Sequence, residues 1–363
     1  SYDILAKKLK RRHILRSELE KQMSLLTGTL DYSGFHRVDM VVEAVFEDIN
    51  LKHQMVQDVE RECGEHTVFA SNTSSLPIHQ IAANAAHPER VVGLHYFSPV
   101  DKMLLVEIIK GKETGPRAVA KALDFVRQIR KTPIVVNDAR FFYANRCIIP
   151  YINEGIRLVS EGVNPTLIEN AAKLMGMPLG PLQLVDETSI DLGVKIAKAT
   201  RAAMGDAYAD APVDQVIFKL ADQGRMGRKA KAGFYDYDEA GKRQGLWSGL
   251  EQQCPEASAQ PELTEVQHRL MFAQSLEAVR ALDEGVLEDI REGDVGAILG
   301  WGFAPWSGGP FSWLDMLGAP RAVDIADDLA AREVKLSIAG SVYDPTDPMG
   351  KLLFNVLAMV AEF

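Results

Sequence analysis

The stretch VDMVVEAVFEDINLKHQMVQDVERECGEHTVFA, residues 38–70, decides the fold class of this chain. It begins and ends with short apolar runs, residues 38–46 and 67–70, of the kind that form buried parallel strands. Between these runs, residues 50–62 carry apolar side chains at every third or fourth position, which is the spacing of one helix face. A strand, a helix and a second strand in this order predict a parallel βαβ unit.

The same alternation continues along the chain as far as residue 138. Three more runs rich in Val and Ile occupy residues 90–97, 104–110 and 133–137, and a second helical pattern occupies residues 116–130. The sequence therefore predicts an α/β domain with a parallel sheet over residues 1–138.

After residue 138 the strand pattern stops, and helix start and stop signals take its place. This half also repeats itself: EGIRLVSEGV from Glu154 recurs as EAVRALDEGV 123 residues later, and GPLQLVD from Gly180 recurs as GPFSWLD 129 residues later. Two matches in the same order predict a tandem duplication of all-α domains, with copies at residues 139–253 and 254–363.

The composition is that of an ordinary globular protein, with 363 residues, 47% hydrophobic, 25% charged and a formal net charge of −10. These values exclude a disordered, collagen-like or disulfide-stapled chain. No apolar run approaches the ~18 residues that a membrane-spanning helix needs, so no transmembrane segment is predicted. The three cysteines lie far apart, which predicts neither a disulfide framework nor a metal site and favours a reducing compartment.

One basic cluster, residues 7–12, is a candidate for contact with nucleic acid. It contains no aromatic side chain and shares its predicted helix, residues 1–26, with Glu18 and Glu20. We interpret the cluster as a solvated helix face and predict no nucleic-acid partner.

Polar side chains gather where the predicted strands end. The string SNTSS, residues 71–75, follows one strand, His95 ends the next, and Asn145 begins the first helix beyond the sheet. Glu107 lies inside an apolar run, where a carboxylate needs a partner, and the strand that ends in His95 supplies one. A carboxylate that holds one ring nitrogen makes histidine a better general base near neutral pH. The alternatives are a purely structural pair and, for residues 71–75, a simple helix cap.

Four strings resemble the L-3-hydroxyacyl-CoA dehydrogenase family: VVEAVFEDINLK from Val41, ASNTSSL from Ala70, GLHYFSPVDKMLLVEII from Gly93 and TPIVVND from Thr132. The resemblance covers nearly the whole chain. The duplicated helical half is similar to the α-subunit of bacterial fatty-acid oxidation complexes and to related multifunctional β-oxidation enzymes, which carry a second, degenerate helical copy.

The resemblance implies NAD-dependent oxidation of an L-3-hydroxyacyl-CoA to the 3-ketoacyl-CoA, without a metal ion. His95 would take the proton of the 3-hydroxyl group, and Glu107 would hold the other imidazole nitrogen. Ser74 would hydrogen-bond the 3-oxygen of the substrate, and Asn145 would position the acyl group. The positions that match cofactor contacts in the family are Val45, Glu47, Lys52, Asn72, Ser74 and Lys229.

The chain departs from the family pattern at the dinucleotide-binding turn. Gly28 and Gly34 are the only glycines before residue 64, and neither belongs to a G-x-G-x-x-G sequence after a strand. The resemblance therefore implies a partial Rossmann domain whose first βαβ unit, with the acidic residue for the ribose, precedes Ser1. In that case the strand at residues 38–46 lies at or near an exposed edge of the sheet.

Two smaller departures concern the substrate cleft. Ser98 stands where many members of the family carry Asn, and Arg140-Phe141 stands where Pro-Gly is usual. The Phe adds bulk beside the cleft and removes backbone freedom, which affects the size of substrate that fits. In the second helical copy His268 stands where the first has Asn145, so only the first copy is predicted to serve catalysis.

The leading hypothesis is the dehydrogenase part of a β-oxidation protein, with an upstream enoyl-CoA hydratase domain and a thiolase subunit as partners. It predicts a cytoplasmic location in a bacterium, or a mitochondrial or peroxisomal one in a eukaryote. The alternative is a catalytically incompetent fragment that binds acyl-CoA or thiolase. Other β-hydroxyacid dehydrogenases form a third possibility, but they typically carry a lysine base where this chain has Asn145.

Overall fold

The protein is described by a computed structural model that covers residues 1–204 and 211–318, with short pieces at 320–322, 324–325, 336–338 and 341–343. The elements of its first part are α1 (Tyr2–Lys10), α2 (Arg16–Met23), β1 (Met40–Glu43), α3 (Ile49–Glu62), β2 (Val68–Ser71), α4 (Ile78–Ile81), β3 (Val91–Tyr96), β4 (Leu105–Lys110), α5 (Pro116–Gln128) and β5 (Thr132–Asn137).

Strands β1 to β5 form one sheet in the order in which they occur along the chain. The predicted parallel α/β sheet is confirmed with one exception, because β4 runs antiparallel to β3. The connection between these two strands, residues 97–104, is shorter than the dozen or more residues that a parallel crossover requires. The antiparallel register places His95 directly opposite Glu107.

The start of the chain is helical, but not as one helix. The single helix predicted over residues 1–26 is wrong: α1 ends before Arg12, whose φ of 58° is left-handed and interrupts the helix. A second helix, α2, then begins at Arg16, where the Glu18 carboxylate accepts a hydrogen bond from the Leu15 amide at 2.7 Å. Residues 1–37 add no strand to the sheet, so β1 is an edge strand of it, as predicted.

The second part of the chain is mainly helical. Its elements are α6 (Ala144–Ser160), α7 (Pro165–Leu174), α8 (Pro181–Thr188), α9 (Ile190–Met204), α10 (Ala211–Asp222), β6 (Tyr235–Tyr237), β7 (Arg243–Leu246), α11 (Leu250–Gln253), α12 (Leu263–Asp283), α13 (Ile290–Trp301), α14 (Pro310–Leu317), β8 (Leu336–Ile338) and β9 (Ser341–Tyr343). The prediction that this half is purely helical is wrong at two antiparallel hairpins, β6–β7 and β8–β9. One apolar core extends from the inner face of the sheet through these helices, and a smaller core lies between the other face and α5.

Helices α6 and α12 pack against each other and exchange buried charges. An arginine from each helix pairs with two glutamates near the other: Arg146 with Glu277 and Glu284, and Arg269 with Glu154 and Glu161. The two groups of charges correspond at a constant spacing of 123 residues, with Arg146 matching Arg269, Glu154 matching Glu277, and Glu161 matching Glu284. Each helix therefore offers the same charges to the other. Two identical surfaces related by a two-fold axis pack in the same self-complementary way.

Candidate active site

The centre of the site is a buried histidine–carboxylate pair on two neighbouring strands. His95, at the end of β3, and Glu107, in β4, are buried to within a few per cent of their surface. The Nδ1 of His95 lies 2.6 Å from Oε2 of Glu107, and a carboxylate only accepts, so Nδ1–H is the donor. In the neutral ring Nε2 is then the unprotonated nitrogen, which is the state that a general base requires.

Glu107 is held by more than the histidine. Its second oxygen, Oε1, accepts hydrogen bonds from the amides of Tyr143 at 3.2 Å and Ala144 at 2.8 Å. These amides lie at the N-terminus of α6, where the helix dipole favours a negative charge. Sequence reasoning missed this contact, although the start of a helix just beyond the sheet was the signal for it.

Aromatic rings surround the imidazole. The ring of Phe97 lies 4.4 Å from that of His95, and the ring of Phe142 lies 5.9 Å away and is fully buried. The backbone that brings Phe142 there is unusual, because Phe141 and Phe142 have φ angles of 66° and 54°. These rings exclude water from the pair and strengthen the electrostatic interactions within it.

The loop at residues 71–75 approaches the start of α6. The side-chain amide of Asn145 donates to the carbonyl of Ser74 at 3.0 Å, and Oδ1 of Asn72 accepts from the Tyr96 amide at 3.2 Å. The structure thus brings Ser74 and Asn145 together beside the end of β3. Neither serine at 74 or 75 caps α4; Asp138 does so, since its carboxylate accepts from the amides at residues 78 and 79.

Glu47 organises the same loop. Its Oε1 accepts hydrogen bonds from the hydroxyl of Thr73 and from the amides of Ser74 at 3.1 Å and Ser75 at 3.3 Å. Burial opposes ionisation of Glu47, but the Thr73 hydroxyl and the Lys52 ammonium outweigh it and lower its pKa. The predicted cofactor contact at Glu47 stays a prediction, and its observed role is to fix the loop that follows β2.

Lys52 is completely enclosed, together with a carboxylate that sequence reasoning missed. Its Nζ lies 2.8 and 3.0 Å from the two oxygens of Glu43 and 3.4 Å from Glu47. Glu43 also accepts from the Ser71 hydroxyl at 2.6 Å and from the Val45 amide at 2.7 Å. Lys52 therefore acts on the site by holding these carboxylates. A carboxylate inside the apolar run of β1 was the signal for Glu43, as it was for Glu107.

We expect Lys52→Met to destabilise the fold by about 3–5 kcal/mol, because it leaves the buried charge of Glu43 without its partner. The free energy of unfolding in urea measures this loss. The double variant Glu43→Met with Lys52→Met is the matched control, and it should recover most of the stability since an apolar pair replaces the ion pair. A loss below about 1 kcal/mol in the single variant would contradict the assignment.

Lys229 lies apart from these residues. It is exposed on a short 3₁₀ turn, Arg228–Ala230, that packs beside α8 in the helical part. Its cofactor contact stays a prediction. Among the described residues there is no cluster of three or more His, Cys, Asp or Glu side chains arranged to hold a metal ion, and none of the described helices is both long and apolar enough to cross a membrane.

Comparison with known proteins gives this arrangement a family. Residues 2–139 match the profile of the 3-hydroxyacyl-CoA dehydrogenase NAD binding domain, and residues 142–237 match that of the 3-hydroxyacyl-CoA dehydrogenase C-terminal domain. The fatty acid oxidation complex subunit alpha of Shewanella amazonensis is 46% identical over 335 residues. That alignment covers 90% of this chain and 46% of the relative, so the chain spans about half the length of the curated relative it matches.

Solved structures share the architecture. The 3-hydroxybutyryl-CoA dehydrogenase of Escherichia coli K12 superposes with a TM-score of 0.80 at 22% identity, over 99% of this chain and 90% of that one. The dehydrogenase part of multifunctional enzyme 1 from C. elegans superposes with a TM-score of 0.59 at 27% identity, over 82% of this chain and 69% of that one. With an α/β sheet domain, a helical domain and both family profiles in order, the chain belongs to the 3-hydroxyacyl-CoA dehydrogenase family.

Proposed function

We propose that this chain oxidises L-3-hydroxyacyl-CoA to 3-ketoacyl-CoA with NAD, as the dehydrogenase part of a larger β-oxidation protein. The observation that carries the proposal is the buried His95–Glu107 pair, in which Nδ1 is engaged and Nε2 is left to act as a base. The two family profiles and the naming of the Shewanella relative support the reaction class.

Residues of this chain take up the proton that the 3-hydroxyl group of the substrate releases. Nε2 of His95 takes the proton of the 3-hydroxyl group, and Glu107 stabilises the resulting imidazolium while the amides of Tyr143 and Ala144 keep the carboxylate in place. Asn145, tied to the Ser74 carbonyl, positions the acyl group, and the Ser74 hydroxyl binds the 3-oxygen.

The residues at the carboxyl ends of β1 and β2 fit the reacting end of a dinucleotide. Val45, Glu47, Asn72 and Ser74 lie just beyond these adjacent parallel strands, which is where such sheets bind nucleotides. NAD supplies the acceptor for the hydride that leaves C3 of the substrate. The phosphate end does not fit residues 1–37, since they form helices and turns without a glycine-rich strand-to-helix turn.

Residues 1–37 contain no phosphate-binding turn for the dinucleotide. We place the first βαβ unit, with its phosphate-binding turn, ahead of Ser1 and next to the exposed edge of β1. Exposed apolar side chains on β1 and just after it support the placement, namely Val42 and Phe46. An upstream enoyl-CoA hydratase, a thiolase subunit as partner and a cytoplasmic location belong to the same proposal.

The tandem duplication of the helical half, divided at residue 253, is also proposed. The reciprocal ion pairs between α6 and α12 support it. So does a second correspondence, because Glu169 accepts from the Leu182 amide at the start of α8 and Asp294 accepts from the Phe311 amide at the start of α14. Most of residues 319–363, the end of the second predicted copy, lies outside the described residues.

The proposed reaction is tested by following NADH oxidation with acetoacetyl-CoA, both in this chain and in a version extended upstream. We expect turnover that forms the L-3-hydroxy product and saturates with both substrates. A binding module without catalysis is the competing function. It would bind acetoacetyl-CoA in a calorimeter but leave NADH unchanged even in the extended version.

The side chain and backbone conformation of Phe141 are expected to limit the acyl chain length that the site accepts. Its φ of 66° is a conformation that costs a non-glycine residue about 1–2 kcal/mol, and the next residue packs on His95. We expect Phe141→Gly to raise kcat/KM for long-chain relative to four-carbon 3-ketoacyl-CoA by about tenfold, on the order of one or two methylenes of lost discrimination. Phe141→Ala separates bulk from backbone, and an unchanged chain-length profile in both variants would show that the ring does not line the cleft.

A further inference from the structure

The geometry of the His95–Glu107 pair depends on where α6 begins. Because Oε1 of Glu107 is held by the amides of Tyr143 and Ala144, any movement of this first turn turns the carboxylate and, through Oε2, the imidazole. The two residues before Tyr143 are left-handed, a conformation that non-glycine residues keep only where their surroundings impose it. Contacts from outside the segment must therefore hold it.

Those contacts come from α13, in the far part of the helical half. The hydroxyl of Tyr143 donates to the carbonyl of Gly293 at 3.1 Å. Complete burial raises the pKa of Tyr143 well above its usual value, so the phenol stays protonated and remains a donor. The ring of Trp301, at the end of α13, meets the ring of Tyr143 edge-on with centroids 5.6 Å apart.

The backbone of α13 lies directly against the active-site strands. A methyl group added at Gly296 would come within 2.7 Å of Ile134 Cδ1 and 3.4 Å of Tyr143 Cε1. One added at Gly300 would come within 2.7 Å of Leu105 Cδ2. Real Cβ atoms do not approach other atoms to 2.7 Å in a packed interior, so the glycines at 296 and 300 allow α13 to lie this close to Ile134 and Leu105.

The same helix and the turn before it are fixed to β4 and β5. Three contacts join them: the Val135 amide donates to Glu292 Oε2 at 2.8 Å, the Asn137 amide donates to the Val286 carbonyl at 2.8 Å, and Lys110 pairs with Glu288 at 2.9 Å. Strand β4 carries Glu107. The strand that bears the carboxylate and the helix turn that holds it are thus positioned against one common element.

We infer that α13 is a buttress for the catalytic pair, with Gly296 and Tyr143 as positioning residues that act on His95 through Glu107. This inference rests on the proposed function for its kinetic readout. It assigns to the second helical copy, which contributes no group to the proposed reaction, the task of fixing the orientation of the histidine.

The test is Gly296→Ala, which adds one methyl group 2.7 Å from Ile134 Cδ1 and in contact with the Tyr143 ring at 3.4 Å, so that α13 has to shift against β5 and the start of α6. Alanine is the better helix former, so a loss of activity cannot come from a weaker helix. We expect kcat to fall at least tenfold with KM values within twofold.

The matched control is Gly115→Ala, at the start of α5. A methyl group there would come within 3.0 Å of the Glu89 carbonyl oxygen, in a similarly tight place away from the pair. This variant should keep the wild-type kcat. Tyr143→Phe, which removes only the hydroxyl bond to Gly293, provides a second variant should Gly296→Ala fail to fold.

A spectroscopic readout separates this inference from the proposed function. In protein labelled with ¹⁵N-histidine, the Nδ1 proton of His95 should resonate far downfield because of its short bond to Glu107. We expect this resonance to shift or broaden in Gly296→Ala and Tyr143→Phe but not in Gly115→Ala. Folded variants with the wild-type resonance and the wild-type kcat would overturn the inference. A wild-type protein that shows the resonance but never turns over acetoacetyl-CoA would overturn the proposed function alone.

Discussion

Replacement of His95 by Gln will lower kcat by about 10² to 10⁴-fold, the usual contribution of a general base, and will change KM much less. Gln is similar in size and can still donate to Glu107, so the packing against Phe97 and Phe142 is kept while the group that takes the proton is lost. The rate is measured with acetoacetyl-CoA and NADH in the version of the protein extended upstream.

Glu107→Gln is expected to lower kcat by a similar order, because the imidazolium then lacks a charged partner and the ring loses its fixed orientation. The matched control is His79→Gln. His79 also has its Nδ1 at 2.6 Å from a carboxylate, that of Asp138, but its side chain is 52% exposed on the surface. Full activity in the His79 variant with near-normal turnover in both pair variants would show that the base lies elsewhere.

Extension of the chain upstream through a glycine-rich strand-turn-helix will raise kcat/KM for NADH by at least about 100-fold. Correct placement of the nicotinamide against C3 of the substrate is worth up to ~7–11 kcal/mol, and two powers of ten use only part of it. The part of the chain that the structure describes supplies the strand ends but no phosphate-binding turn, so we expect it to hold the dinucleotide at one end only.

Affinity for acetoacetyl-CoA alone is the internal control for this comparison. It should differ little between the two lengths of chain, since Ser74, Asn145 and the pair at His95 and Glu107 are present in both. Calorimetric titration of each ligand separately makes the distinction. Micromolar NADH affinity and normal turnover by residues 1–363 would mean that the cofactor site lies within this chain and was misplaced.

The strands and the His95–Glu107 pair could be predicted from the sequence for one physical reason. Buried strands leave continuous apolar runs. The predicted run 90–97 is one residue longer than β3 at each end, and the run 104–110 is one residue longer than β4 at its start. A charge within such a run must have a partner, which led from Glu107 to His95. The same argument applied to Glu43 would have led to Lys52, for which the family resemblance predicted a cofactor contact.

Other features depend on contacts that no local pattern records. The break between α1 and α2 depends on the backbone angle of one residue, Arg12. The amides of Tyr143 and Ala144 reach Glu107 only because the folded chain places the start of α6 next to it. The short connection between β3 and β4 already indicates that these strands are antiparallel. The alternation of strands and helices along the chain favoured a parallel sheet throughout. The packing of α13 on Tyr143 joins residues 150 positions apart and is a property of the folded chain.

The exchanged arginines of α6 and α12 set an order of events during synthesis of the protein. Glu154 is fully buried and its partner Arg269 follows 115 residues later. At ~5–20 residues per second, a ribosome needs roughly 6–20 s to deliver that partner. During this interval Glu154 lacks the ion pair that it makes with α12 in the folded chain, so the face of α6 that carries it is completed only after α12 has emerged.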